Sequence, residues 1–520
     1  MPTHYRSFLI VVLAGAFVLL VARKFFAPLM MSNDDFRRRR NLWLVITASA
    51  FLIPSFWAYA LVAMVAILYA TRHDSNPAAL YPLLLVVIPP LEAAIPGLVP
   101  ISHQRMLVLV VLLPMLRQLF RDPQVPGVLK LPTDKFVLAY FVLQVILTWP
   151  YVTAAHAVRL AFFFVVDLWL PYYLMSRAFT SREQLRDAMA CFVLSLVVVV
   201  PMTFGEMRLG TLLYGGFGES WNIGGLFGYT TRGDWLRAQM AAGQPIVLGY
   251  QFAVAIGMWL YLQRHVESVV ARRIVMAALT VGLLTTISRG PWVGAAAAFV
   301  AFALVSPQNL GRLVQGVAAA AVLFAVVLAT PWGSQLADYL PFVGNAAQET
   351  VDYRREWLNV SWQLIQQSPF FGDLLVMRQL EFMRTGEGII DIVNTYVALA
   401  LIYGGVGVAL FIGIFVTAMV PLMKIVRNPR LPEDLRYLGA SVLACLLGVL
   451  VMIGTVSNYL TIPQIYMMLI GLAISCSRVL QLEPSTGSLG SMNTFSASTA
   501  WRARRGNASG SGDITPSPLT

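Results

Sequence analysis

From residue 7 to residue 477 the chain consists of apolar runs separated by short clusters of arginine and lysine. A helix needs about 20 apolar residues to cross a hydrocarbon core roughly 30 Å thick. Every backbone N–H and C=O inside that core must be satisfied internally, so such runs fold as helices. The spans expected are 7–22, 42–53, 55–70, 79–99, 103–118, 136–151, 157–176, 187–204, 245–263, 274–288, 290–305, 313–330, 391–420, 437–457 and 461–477. The fold class is therefore all-α, a polytopic transmembrane helix bundle of about 13–15 membrane helices with a large, partly helical loop outside the membrane. Hydrophobic residues make up 58% and charged residues only 12%, against about 25% charged in soluble domains. The first run, 7–22, has no small-residue cleavage site and reads as a membrane helix. The pair 42–53 and 55–70 is either a hairpin about Pro54 or one tilted helix, and that choice sets the side on which the N-terminus lies.

Charge orients the bundle. Basic clusters at 37–40, 117–130, 181–186, 263–273 and 423–436 read as cytoplasmic. The net charge of +12 is spread among these clusters, so it points to membrane topology rather than to nucleic acid. The three cysteines lie in apolar runs and no Cys/His cluster exists, which predicts neither a disulfide framework nor a metal site, and no cofactor is expected. Two long segments, 205–244 and 331–390, fall on the non-cytoplasmic side, and loops of that length usually carry function. In the second, Leu358, Trp362 and Ile365 recur at helical spacing. The membrane domain spans 1–482; residues 483–520, rich in serine, glycine and threonine, read as a disordered cytoplasmic tail.

Arg289 interrupts the apolar stretch LLTTISRGPWVGAAAAFVAFALV (283–305). At the bilayer centre an arginine costs roughly 2.5–3.5 kcal/mol on insertion scales. Basic clusters flank the stretch on both sides, so the chain should go out and return, with Ser-Arg-Gly-Pro as the turn, Gly290 supplying flexibility and Pro291 starting the returning helix. Each arm then reaches about 21–24 Å, which puts Arg289 at headgroup depth. A guanidinium there suits a phosphate or diphosphate; it suits equally a side chain that snorkels to the interface or pairs with a buried acid.

Downstream motifs bear on that choice. The stretch RREWLNVSWQLIQQSPFFG (354–372) sets Arg and Glu before an apolar helix ending in Pro-x-x-Gly, and VNTYVALALIYGGVG (393–407) sets Asn-x-Tyr before Gly404 and Gly407. With the Ser-Arg-Gly turn, this order over 270–415 resembles the O-antigen ligase and Wzy-type polymerase family of bacterial polysaccharide assembly. Arg289 takes the family's turn arginine and Arg354 its loop arginine, with Arg355 a close competitor; Leu358 stands where a Trp is frequent. Val393 replaces the histidine that serves the ligases as general base, so the resemblance favours a polymerase, with Asp391, Glu387, His103 and His156 the substitutes for the missing base.

The resemblance implies a metal-independent membrane glycosyltransferase of the bacterial inner membrane. It would join repeat units carried on undecaprenyl diphosphate, donor and acceptor alike, with a chain-length regulator and a flippase of the same pathway as partners. Arg289, Arg354 and Asp391 are the expected catalytic residues. Ser288, Arg355, Glu356, Arg378, Arg384, Asn394 and Tyr396 are the expected substrate-binding set, and Trp221, Tyr229 and Trp235 could stack on sugars. Rivals are a ligase that moves glycan to lipid A core or protein, and a flippase of lipid-linked glycan.

Overall fold

The computed structural model describes residues 3–93, 100–123, 125–215, 227–306, 311, 348–383, 392 and 394–482. The expected span 313–330 and the tail 483–520 lie outside them. The described residues are overwhelmingly helical, and eight of their helices are long and apolar enough to cross a membrane. The chain is a multi-pass membrane protein.

In chain order the helices are α1 (Thr3–Phe26), α2 (Asn33–Leu52), α3 (Phe56–His73), α4 (Leu80–Val87), α5 (His103–Arg121), α6 (Pro132–Thr148), α7 (Ala154–Phe163), α8 (Leu170–Met175), α9 (Arg182–Leu209), α10 (Pro245–Leu262), α11 (Val269–Thr285), α12 (Arg289–Val305), α13 (Gln348–Gln367), α14 (Val376–Gln379), α15 (Thr395–Arg427), α16 (Glu433–Ile453) and α17 (Ile462–Leu482). A π-helical turn, Phe164–Trp169, joins α7 to α8.

The five basic clusters gather at one end, here the basic end. Arg264 pairs with Glu433 at 2.8 Å, and His265 and Arg182 approach Asp434. Arg177 donates to the Pro126 carbonyl and to Asp134. One arginine of the 37–40 cluster departs from a solvated reading: Arg39 is fully buried, with Asp74 at 2.7 Å and Asp187 at 2.9 Å. Two carboxylates and a guanidinium satisfy one another there and tie α2, α9 and the end of α3 together.

Pro54 lies between α2 and α3, which pack as a hairpin. Phe8 of α1 contacts Phe51 at the opposite, loop end, and Phe26 stacks on Trp259, whose indole donates to the Arg272 carbonyl at the basic end. The first helix therefore runs from the loop end to the basic end. The expected span 79–99 needs correction: α4 stops at Val87 before Pro89 and Pro90, and the chain then forms a two-stranded ribbon, β1 (Glu92–Ala93) against β2 (Ile101–Ser102). Proline has no N–H and excludes helix from the residue before it.

α11 runs antiparallel to α10, with Gly282 against Phe252, and α12 runs back along α10 and α16, with Gly290 against Thr455 and Phe302 against Tyr437. The out-and-back path is as expected. The turn itself differs: Ile287 takes the left-handed conformation (φ +46°), Ser288 sits at the N-cap position, and α12 starts at Arg289. Gly290 lies within α12, where a Cβ would come 2.5 Å from Thr455 Oγ1. Its smallness serves packing, not the turn.

Candidate functional site

The turn 286–288 is the centre of the site. A helix leaves its last carbonyls without intrahelical donors, and cations are favourable there. Two arginines from the long loop 210–244 supply them. That loop carries a hairpin, β3 (Thr231–Arg232) against β4 (Trp235–Leu236), turned by Gly233 at φ +56° and Asp234. Arg232 Nη1 donates to the Ile287 carbonyl at 3.3 Å. Arg237 Nε donates to the Thr286 carbonyl at 3.2 Å, and its Nη2 to Ser288 Oγ at 2.9 Å. The Ser288 hydroxyl donates a hydrogen bond to the Thr286 carbonyl at 3.0 Å and makes no cap bond to α12.

Arg289, half-buried, opens α12 directly beside these groups. Three arginines thus belong to one short turn at a helix N-terminus, a combination suited to an anion. Loss of solvent, then the neighbouring Arg232, draws the Arg237 guanidinium down to about 10, so it stays charged at neutral pH. Ile287 is β-branched, and a positive φ is a true outlier for such a residue. Strain of this kind persists where surrounding contacts over-determine it, and functional sites concentrate it.

The second long loop reaches the same end through its glycines. Gly372 (φ +68°) and Gly404 (φ +66°, ψ −169°) meet backbone to backbone. A Cβ on Gly404 would lie 2.3 Å from the Phe370 carbonyl, and one on Gly372 would lie 2.6 Å from that of Leu401. Gly405 N donates to Pro369 O, Val406 N to Phe370 O and Asp373 N to Leu401 O. The Pro-x-x-Gly of the loop is therefore seated in a kink of α15, so the expected single span 391–420 becomes two helical pieces that start at Thr395 and continue to Arg427. This seat holds α13, which carries Arg354, against α15.

The 286–288 turn and the Gly372–Gly404 seat lie within a stretch that a family comparison matches, and the 231–237 hairpin lies outside it. Residues 274–412 match the family model described as O-antigen ligase. Over that stretch the chain is similar to the O-antigen ligase family. No curated protein matches the chain.

Within this O-antigen ligase segment the structure distributes the expected site residues unevenly. Ser288 and Arg289 lie at the arginine cluster. Arg354 lies in α13, as do Arg355 and Glu356, both exposed. Arg378 is exposed on α14. Asn394 caps α15, its Oδ1 accepting from Tyr396 N and Val397 N, and the Tyr396 hydroxyl donates to the Leu450 carbonyl. Thr395 and Ser457 tie that end of α15 to the loop after α16. Asp391, Arg384, Glu387, Val393 and Trp221 lie outside the described residues.

The helix expected from Leu358, Trp362 and Ile365 is present as α13. Leu358 and Trp362 are exposed, while Trp357 is buried with Val376, Leu380, Met383, Ile392 and Leu401. Two apolar stripes interleave on this helix, and packing on α14 and α15 selects the one through Trp357. His103 is buried between the rings of Phe56 and Tyr59, whereas His156 is exposed. Tyr229 and Trp235 stand on the exposed side of the hairpin loop. Arg232 and Arg237 escaped sequence reasoning; the available signal was two arginines astride a Gly-Asp hairpin turn in a loop too long to be a connector.

Proposed function

We propose that the protein polymerises oligosaccharide repeats carried on undecaprenyl diphosphate at the periplasmic face of the bacterial inner membrane. The observation that supports this reading is the convergence of Arg232 and Arg237 on the turn 286–288, directly before the helix that Arg289 opens. In glycosyl transfer from a lipid diphosphate, negative charge grows on the leaving phosphate oxygens. Preorganised guanidinium groups and a helix N-terminus stabilise that charge more in the transition state than in the ground state. Arg289 and Arg237 would face the diphosphate, and Arg354, the loop arginine of the resemblance, is the third cation of the proposal. No metal is needed for this electrostatic role. The acceptor hydroxyl must lose a proton, and Asp391 is the candidate base.

Val393 at the position of the ligase histidine favours polymerase over ligase. The test is polysaccharide chain length in a deletion strain complemented with wild type, Arg289→Ala, Arg237→Ala or Arg354→Ala at matched protein levels. Single repeats on the outer face support the reading. Long lipid-linked chains would indicate a ligase, repeats held on the inner face a flippase, and normal polymer in all three variants would sink the mechanism.

A further inference from the structure

We infer that Glu206 is the positioning residue that sets Arg237 against the 286–288 turn. The inference rests on the reading that Arg237 takes a diphosphate. Glu206 lies in the last turn of α9 and is completely buried. Its Oε1 accepts from Leu213 N at 2.9 Å, and its Oε2 accepts from Gln239 N at 2.9 Å and Met240 N at 3.0 Å. Both oxygens are engaged by backbone amides, so the carboxyl group holds chain on two sides.

The chain it holds is the strap that follows Arg237. Ala238 N donates to the Thr285 carbonyl at 3.1 Å, and Gln239 Nε2 donates to the Gly228 carbonyl at 2.8 Å. Met240 is buried in the left-handed region (φ +44°), a conformation that an L-residue keeps only under constraint. The strap is thus bolted to α11 at Ala238 and to α9 at Gln239 and Met240, with Arg237 as the residue immediately before. A carboxylate is the side chain for this task, because it accepts at both oxygens and has no N–H of its own to oppose three amide donors. A glutamine would turn its amide group toward one set of them, and the strap would relax.

The test uses the purified full chain in detergent, with inorganic pyrophosphate as the probe and its affinity read from the concentration dependence of Tm. The variants are Glu206→Gln, Glu206→Asp, Arg237→Met and each pair with Arg237→Met. Glu206→Gln is expected to weaken pyrophosphate binding by about tenfold to a hundredfold, the effect of small misplacement in a preorganised site. In the Arg237→Met background the same change should weaken it no further, because the residue acts through Arg237. Equal losses in both backgrounds, or wild-type affinity in Glu206→Gln, would overturn the inference. Should Glu206→Gln not fold, Glu206→Asp, which keeps the charge and loses the reach, carries the same cycle. Wild-type protein that ignores pyrophosphate, or Arg237→Met that binds it unchanged, would instead remove the diphosphate reading itself.

Discussion

Gly404→Ala asks whether the seat between the second loop and α15 is needed. At φ +66° and ψ −169° Gly404 occupies a region that is almost exclusive to glycine, and forcing an L-residue into it costs about 1–3 kcal/mol. The new Cβ would lie 2.3 Å from the carbonyl carbon and oxygen of Phe370 and 2.4 Å from Phe371 N. These are backbone atoms with no rotamer to escape into, so overpacking adds about 1–3 kcal/mol. The combined penalty of about 2–6 kcal/mol lowers the docked population of the loop about thirtyfold or more. The three hydrogen bonds from Gly405, Val406 and Asp373 would go with it. Gly405→Ala is the control: its Cβ would meet Pro369 O at 3.2 Å, and its φ is not positive. The assays are protease sensitivity of the loop in membranes and polysaccharide chain length. Gly404→Ala is expected to be cleaved faster and to give short glycan, and Gly405→Ala to resemble wild type. A Gly404→Ala protein with a protected loop and full-length polymer would show that the seat does not position the loop.

Other consequences can be checked in the same strains. Folding lowers the Arg237 pKa to about 10, so the folded state holds this proton less tightly than the unfolded chain, and the charge opposes folding below that pH. Arg237→Met is accordingly expected to stay within about 2–4 °C of the wild-type Tm while losing polymerisation; a large fall in Tm would mean that the arginine is there for stability. Arg39→Ala leaves Asp74 and Asp187 buried without their cation and should cost about 3–5 kcal/mol, read as lost expression and a lower Tm, whereas the part-exposed Arg38→Ala should be mild. His103→Phe, placed between Phe56 and Tyr59, should retain full-length polymer; its loss would revive that histidine as a base.

Much of the architecture was legible because membrane insertion imposes length and polarity on each segment separately. The apolar runs, the out-and-back path around Arg289 and the shared end of the basic clusters all follow from that local rule. Features that depend on a second segment were not legible. Leu358 and Trp362 have the right spacing for a buried face, yet α14 and α15 select Trp357. Arg39 sits in a run of four like residues, and only Asp74 and Asp187, 35 and 148 positions away, single it out. Glu206 did carry a local signal, a single acid at the end of the apolar part of α9, and an acid in such a place usually has a task.

The sequence by itself determined the class of molecule and the motifs by which residues 274–412 resemble a family, because hydropathy, basic clusters and ordered short motifs are properties of contiguous residues. The tertiary structure alone decided which arginines meet at the 286–288 turn. Arg232 and Arg237 lie some fifty residues before the turn they cap, and nothing local to either segment records that the unpaired carbonyls at the end of one helix would be met by guanidinium groups from a distant hairpin.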